Sequence, residues 1–314
     1  MHRRYGYGLR VRSVVAHRQR VVHIDFPLQL RHTCGLHARG NGDPTMRVAA
    51  ATLVRSTRFG SGATSMRVAI GSGRVEAEAW GPGAEQALEE LPDLIGAHDR
   101  PELLQPRHPV ISELQRRTPG LRIGRTHRVF EAAVPAVLEQ KITGNEAWRV
   151  FRNLVRTYGE PAPGPLGLWL QPSPEILSQL SYFDLHAIGL ERRRAGVIRE
   201  LARRAPRLER TVRSQPVETD RILAALPGIG PWTRAEVALR ASGDPDAVSV
   251  GDYHLPSLVS WVLAGEPNGT DERMLELLDE YAGQRGRVVR LLELHGPRVA
   301  RRGPRMQPRR LETI

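Results

Sequence analysis

The residues with the clearest chemical content lie between Leu226 and Tyr253. Asp252, in the run Val250-Gly251-Asp252-Tyr253, offers a carboxylate just ahead of a helical pattern. Taken alone, such an aspartate reads as an N-cap, because its side chain can accept the free N–H groups of a first helical turn. A carboxylate held in a water-poor cleft has a second use: it stabilises positive charge developing on a sugar as a glycosidic bond breaks, and it can orient the attacking water. Twenty positions earlier stands Trp232, whose ring suits stacking against a flat, electron-poor or cationic group. A buried core tryptophan is the alternative. Glu236, four residues on and so on the same helix face, could meet such a cation or simply lie at the surface. His254 is a conceivable proton carrier, or a helix-start histidine.

These residues are held by Leu226-Pro227-Gly228-Ile229-Gly230-Pro231. Ile222, Leu223 and Leu226 give the preceding segment an apolar helical face, Pro227 breaks it, Gly228 and Gly230 permit a tight turn, and Pro231 opens a second helix. Residues 220–241 therefore read as two helices joined by a hairpin. The second N-terminus, with Thr233 in its first turn, presents N–H groups that can seat a phosphate without reading base sequence. Upstream, Trp148, Phe151, Leu154, Val155 and Tyr158 form a helical stripe closed by Gly159 and Pro161, and Ser173-Pro174-Glu175 starts another helix. A helix over 191–205 carries Ala195, Ile198 and Leu201 inward. Residues 191–213 hold nine Arg against three Glu, a face that could track a phosphate backbone or merely be solvated. Helices over 271–282 and 285–295 follow. Toward the N-terminus the period changes to two: Val68 and Ile70 are answered by Val75, Ala77 and Ala79 across Gly71-Ser72-Gly73, a β-hairpin. One acidic helix is expected over 84–94. Residues 76–102 hold eight acids and one Arg, so this part should face away from nucleic acid.

At 314 residues the chain can hold two or three subdomains. A net charge of +12 and a pI near 11.0 favour a polyanionic partner, either nucleic acid or an anionic membrane surface. Lys141 is the only lysine; arginine suits bidentate phosphate contacts but equally follows from a GC-rich genome. The single cysteine, Cys34, excludes an intramolecular disulfide, a four-cysteine cluster and a cysteine-based zinc site. His32, Cys34 and His37 lack a fourth ligand, so neither metal nor cofactor is expected. Val14-Val15-Ala16 is too short for a signal-peptide core and no run of about 18 apolar residues exists. A cytoplasmic protein with no membrane partner is expected.

The string Leu226 to Thr233 resembles the signature of the helix-hairpin-helix (HhH-GPD) DNA glycosylases, most closely the alkylation-repair branch, 3-methyladenine DNA glycosylase II. The likeness covers about residues 27–300 and is strongest over 129–262. In that family the catalytic aspartate follows the hairpin at the start of the next helix, where Asp252 stands here. The resemblance implies an α+β fold: a mainly β domain over 25–110, then two all-helical lobes over 111–300. The hairpin lobe would span about 126–245, and the other lobe would form from the flanking segments, with Asp252 at the crossing. Residues 1–24 and 301–314 are left as basic arms. The implied activity is removal of alkylated purines from damaged duplex DNA in base excision repair, by a monomer in a bacterial nucleoid. Relatives that also cleave the strand carry a nucleophilic lysine where Trp232 stands, so the enzyme should be monofunctional. The wedge that fills the vacated stack matches Lys141, with Gln140 beside it. A relative's pocket aromatic is replaced by Glu236. Two rivals remain: a non-catalytic DNA-binding protein using Asp252 only as a cap, and a glycosylase for oxidised or deaminated bases.

Overall fold

A computed structural model describes residues 16–296, to which every structural statement refers. The expected α+β class holds. Strands β1 (His17–His23), β2 (Met46–Val48), β3 (Thr52–Phe59), β4 (Gly62–Gly71) and β5 (Arg74–Trp80) form one antiparallel sheet in the order β1-β5-β4-β3-β2. The hairpin expected from the alternation is β4-β5, with Val68 opposite Ala77 and Ile70 opposite Val75. Because strand side chains alternate, this register sends Val68, Val75 and Ala77 into the core. Helices α1 (Leu30–Cys34), α2 (Ala84–Glu89) and α3 (Leu91–Leu94) close that face. The acidic helix is thus two short ones: Pro92 has no N–H to carry a single ladder through Glu90.

Strand β1 corrects the reading of residues 1–24 as an arm. His17–His23 shows no apolar alternation because it is an edge strand with an exposed outer face, held by pairing with β5 and by His17 stacked on Trp80 at 5.2 Å. Residues 1–15 and the tail from residue 297 lie outside the described residues.

Three of the acids in the acidic segment, Glu90, Asp93 and Asp99, turn inward toward the helical part. Glu90 pairs with Arg128 and Arg213, and Asp99 with Arg287. Asp93 accepts from His127, Arg125 and His98; burial alone would raise its carboxyl, but these bonds hold it down at about 2. A folded-state value below the unfolded 3.8 means the clamp stabilises the protein above that pH and is lost as pH falls toward 2. Asp93→Asn should therefore lower the melting temperature at pH 7 and flatten the acid limb between about pH 4 and 2. An unchanged acid limb would remove Asp93 from the clamp.

The hairpin lobe packs α5 (Val129–Glu139), α6 (Gly144–Tyr158), α7 (Pro174–Gln179), α8 (Tyr182–Ala187), α9 (Arg192–Thr211), α10 (Pro216–Ala224) and α11 (Pro231–Val237) around one core. α5 sits at its centre, buried along nearly its whole length. α9 runs past Pro206 to Thr211, beyond the expected end at 205, because Leu208 still packs into this core. Its arginines divide between the core and surface ion pairs. Arg194 is buried and donates to the Leu138 carbonyl at 2.8 Å, Arg203 and Arg204 pair with Glu200, and Arg207 pairs with Glu218. The third core unites α4 (Pro109–Arg117) with α12 (Leu255–Ala264), α13 (Asp271–Leu278) and α14 (Arg285–His295) through Ile111, Val259, Met274, Leu278 and Val288. The chain leaves this lobe after α4, builds the hairpin lobe and returns. No helix among the described residues is long and apolar enough to cross a membrane.

Candidate active site

The return point is where Asp252 stands. Its Oδ1 accepts the backbone N–H groups of His254 at 2.7 Å and Leu255 at 3.0 Å, so it caps the start of α12. Its Oδ2 accepts the Trp232 indole N–H at 3.0 Å. Three donors from two lobes thus fix one carboxylate. Trp232 is half-buried and belongs to none of the three cores, which sets aside the core-tryptophan alternative. His254 and Tyr253 are exposed and stack edge to face at 4.9 Å.

The hairpin before Trp232 forms as read. Gly228 has φ +93, and a Cβ there would lie 2.5 Å from Val197, so both conformation and packing demand glycine. At Gly230 a Cβ would meet nothing within 4 Å; the space above it is open. Thr233 departs from the expectation of a phosphate ligand: it is 1% exposed, and its hydroxyl accepts from Gln140. Only its backbone N–H lies in the first turn. Gln140 is likewise not a free wedge, since its amide nitrogen donates to the Gly228 carbonyl at 2.9 Å and to the Thr233 hydroxyl at 2.8 Å. It braces the hairpin against the end of α5. Lys141 beside it is exposed, with a left-handed φ of +55.

Below Trp232, α11 continues through one π-type turn, Ala238–Ser242, so Trp232, Glu236 and Arg240 recur every four residues. π-turns are over-represented at functional sites. Glu236 is neither a surface residue nor an unpaired charge awaiting a cation. One oxygen accepts the Ser249 hydroxyl at 2.6 Å and the other pairs with Arg240. Burial pushes its carboxyl up, but Arg240 and Ser249 hold it below the usual range. Arg240 in turn donates to the Leu36 carbonyl at 3.0 Å, tying α11 to the sheet domain.

The last described helix is α14. Its Val288, Val289, Leu291 and Leu292 do face the core, yet Arg290 and Glu293, three apart, face the other way and pair at 3.3 Å. Glu293 keeps 41% of its side chain exposed. The Arg290 Nε and the His37 Nε2 are buried without a hydrogen-bond partner. Cys34, by contrast, is a packing residue: fully buried, its thiol pushed up to about 12 by burial. A cavity of about 40 Å³ lies between β2, β3, α5 and α6, lined by Arg39, Arg55, Glu131 and Gln171 together with His37 and Arg240; neither Trp232 nor Asp252 lines it.

A sheet domain, two helical lobes and a hairpin whose second helix meets a carboxylate at the return to the other lobe define the helix-hairpin-helix glycosylase fold. A solved 3-methyladenine DNA-glycosylase from Archaeoglobus fulgidus shares it with a TM-score of 0.74 at 20% identity, over 87% of this chain and 97% of that one. An 8-oxoguanine glycosylase/lyase from Clostridium acetobutylicum shares it with a TM-score of 0.67 at 14% identity, over 90% and 98%. Residues 134–284 match the HhH-GPD superfamily base excision DNA repair protein, and this region belongs to that superfamily. A Mycobacterium tuberculosis protein described as "Probable bifunctional transcriptional activator/DNA repair enzyme AlkA" is 34% identical over 143 residues, 44% of this chain and 28% of that protein. The Escherichia coli DNA-3-methyladenine glycosylase 2 is 26% identical over 174 residues, 55% of this chain and 61% of that one. The match thus spans 28% and 61% of these two relatives' own length.

Proposed function

We propose that this chain is a monofunctional DNA glycosylase that excises alkylated purines, of the 3-methyladenine and 7-methylguanine type, from duplex DNA and leaves an abasic site. The Trp232–Asp252 pair carries the reading. A helix cap needs one carboxylate oxygen and two N–H groups; DNA binding needs neither a second oxygen tied across the lobes nor a half-exposed indole above it. The flipped purine stacks on Trp232, and Asp252 faces the sugar. As the N-glycosidic bond stretches, positive charge grows on the sugar and the fixed carboxylate stabilises it without reorganisation, then guides water to the same carbon. The bond's electron pair leaves with the base, which in an alkylated purine already carries positive charge and departs as a neutral molecule. Lys141, exposed at the end of the helix that Gln140 braces, is the wedge in this reading. The protein acts as a monomer on damaged duplex.

Trp232 cannot form a Schiff base with the sugar. Product strands should stay intact until alkali is added, and borohydride should trap no covalent complex. Efficient trapping would mean that another amine, such as Lys141, attacks the sugar and that the monofunctional reading is wrong.

The phosphate seat in this account is the Gly230 N-terminus of α11. Gly230→Val leaves the backbone unstrained, since a Cβ there meets nothing within 4 Å, but crowds the seat. Binding to undamaged and abasic duplex should both weaken about tenfold, the scale of one lost charge-assisted hydrogen bond. Gly228→Val is a poor test because its strain would unsettle the fold itself. Unchanged affinity in folded Gly230→Val would move the seat elsewhere.

A further inference from the structure

From Gly243 to His254 the chain forms neither helix nor strand, so the segment that carries Asp252 is held by discrete bonds rather than by a backbone ladder. Ser249, Val250, Gly251 and Asp252 form a turn. The Ser249 carbonyl accepts the Asp252 N–H at 3.2 Å, and Gly251 takes a φ of +90 at the third position, where a type II turn calls for glycine. Ser249 and Asp252 are thus the two feet of one turn. The Gly251 N–H between them is held by Asp271, from the first turn of α13, at 3.0 Å.

α11 grips both feet. Trp232 donates to Oδ2 of Asp252 at 3.0 Å, and Glu236, one helical turn on, accepts the Ser249 hydroxyl at 2.6 Å. The spacing fits: side chains four apart on a helix start about 5–6 Å from each other, and the ends of a β-turn lie within about 7 Å, so one helix face can take both. Glu236 is fixed in turn by its pair with Arg240, whose Nε donates to the Leu36 carbonyl at 3.0 Å. A continuous chain of bonds therefore runs from the sheet domain through Arg240, Glu236 and Ser249 to the turn that ends in Asp252. Ser249 is 7% exposed and the Glu236 side chain 13%, so bulk water competes poorly for the bond between them.

We infer that Glu236 and Ser249 are positioning residues for Asp252: their bond sets the angle at which the carboxylate meets the sugar, and Arg240 extends that constraint to the sheet domain. A carboxylate stabilises a developing cation best when it is aimed before the charge appears, and a misplacement of about 1 Å is enough to weaken it. The inference rests on the glycosylase reading above and gives Glu236 a part other than meeting a cationic base.

Ser249→Ala removes the hydroxyl but leaves the carbonyl that accepts the Asp252 N–H. Release of 7-methylguanine from methylated duplex, under single turnover with saturating enzyme, should fall about tenfold while affinity for abasic duplex stays within about twofold of wild type. Ser249→Cys keeps the volume and a weak donor; its rate should fall between the two, and it carries the test alone if the alanine variant does not fold. The proton–nitrogen resonance of the Trp232 indole, identified by its loss in Trp232→Phe, reports the Asp252 bond directly. It should shift in both variants, in the same order as the rates. An unchanged rate would overturn the inference. So would a lost rate with the indole resonance unmoved, or with abasic affinity falling in step, as from a general loosening of the fold. Release of no methylated base by wild type would defeat the glycosylase reading instead, whereas the indole shift would still decide whether the Glu236–Ser249 bond sets Asp252.

Discussion

Asp252→Asn is expected to lose base excision by about a hundredfold or more under single turnover while still folding and binding abasic duplex, the scale of removing one preorganised electrostatic group. Asparagine retains an oxygen for the His254 and Leu255 N–H groups, so the cap survives; losing a cap outright would cost only ~1 kcal/mol of stability. The amide nitrogen, however, would meet the Trp232 indole N–H, donor against donor, where Oδ2 now accepts at 3.0 Å. Trp232→Phe separates the two effects. It keeps a stacking ring and the Asp252 charge but drops the cross-lobe bond, and should slow excision by about tenfold or less. If the two variants lose activity equally, Asp252 acts mainly by holding the ring. If Asp252→Asn excises at near the wild-type rate after spontaneous release is subtracted, the residue is not the catalyst.

The largest effect on stability should come from a pair far from that carboxylate. Arg287 and Asp99 have side chains 2% and 4% exposed and join α14 to the segment leaving the sheet domain. Asp99→Ala strands a buried guanidinium whose Nε is held by Gln284 but whose Nη1 has no partner. Breaking a buried pair from one side costs ~3–5 kcal/mol, so the melting temperature should fall by roughly 6–20 °C at the ~2–4 °C per kcal/mol usual for a chain of this size. Replacing both partners by apolar residues should recover much of that loss. Because α14 packs against α12, whose start Asp252 caps, Asp99→Ala should also weaken excision at temperatures where the fold persists. A fall of a degree or two would show that water has already relieved the pair.

The parts of this architecture that are local in sequence were legible there. The hairpin follows from two glycines and two prolines, the β4-β5 register from its alternation, and the Trp232–Asp252 spacing from a twenty-residue interval. What escaped was set by partners distant in the chain. Glu236 looks like a surface or cation-facing acid until Ser249 and Arg240 close on it. Gln140 looks like a wedge until its amide is seen to span 88 residues to Gly228. Strand β1 escaped because an edge strand needs no buried face, and the pairing of Glu90 and Asp99 with arginines of the helical part escaped because charge composition does not say whether a charge points to solvent or to an arginine in the next lobe.

The central claim is that this chain removes alkylated purines and stops there. The direct measurement is to incubate the protein with methylated duplex DNA, identify the free bases released by mass spectrometry, and examine the strands before and after alkali. The account predicts free 7-methylguanine and 3-methyladenine above the spontaneous background, strands that break only after alkali, and no such release by Asp252→Asn. Release of 8-oxoguanine from oxidised duplex with strands already broken before alkali, and no methylated base above background, would contradict it.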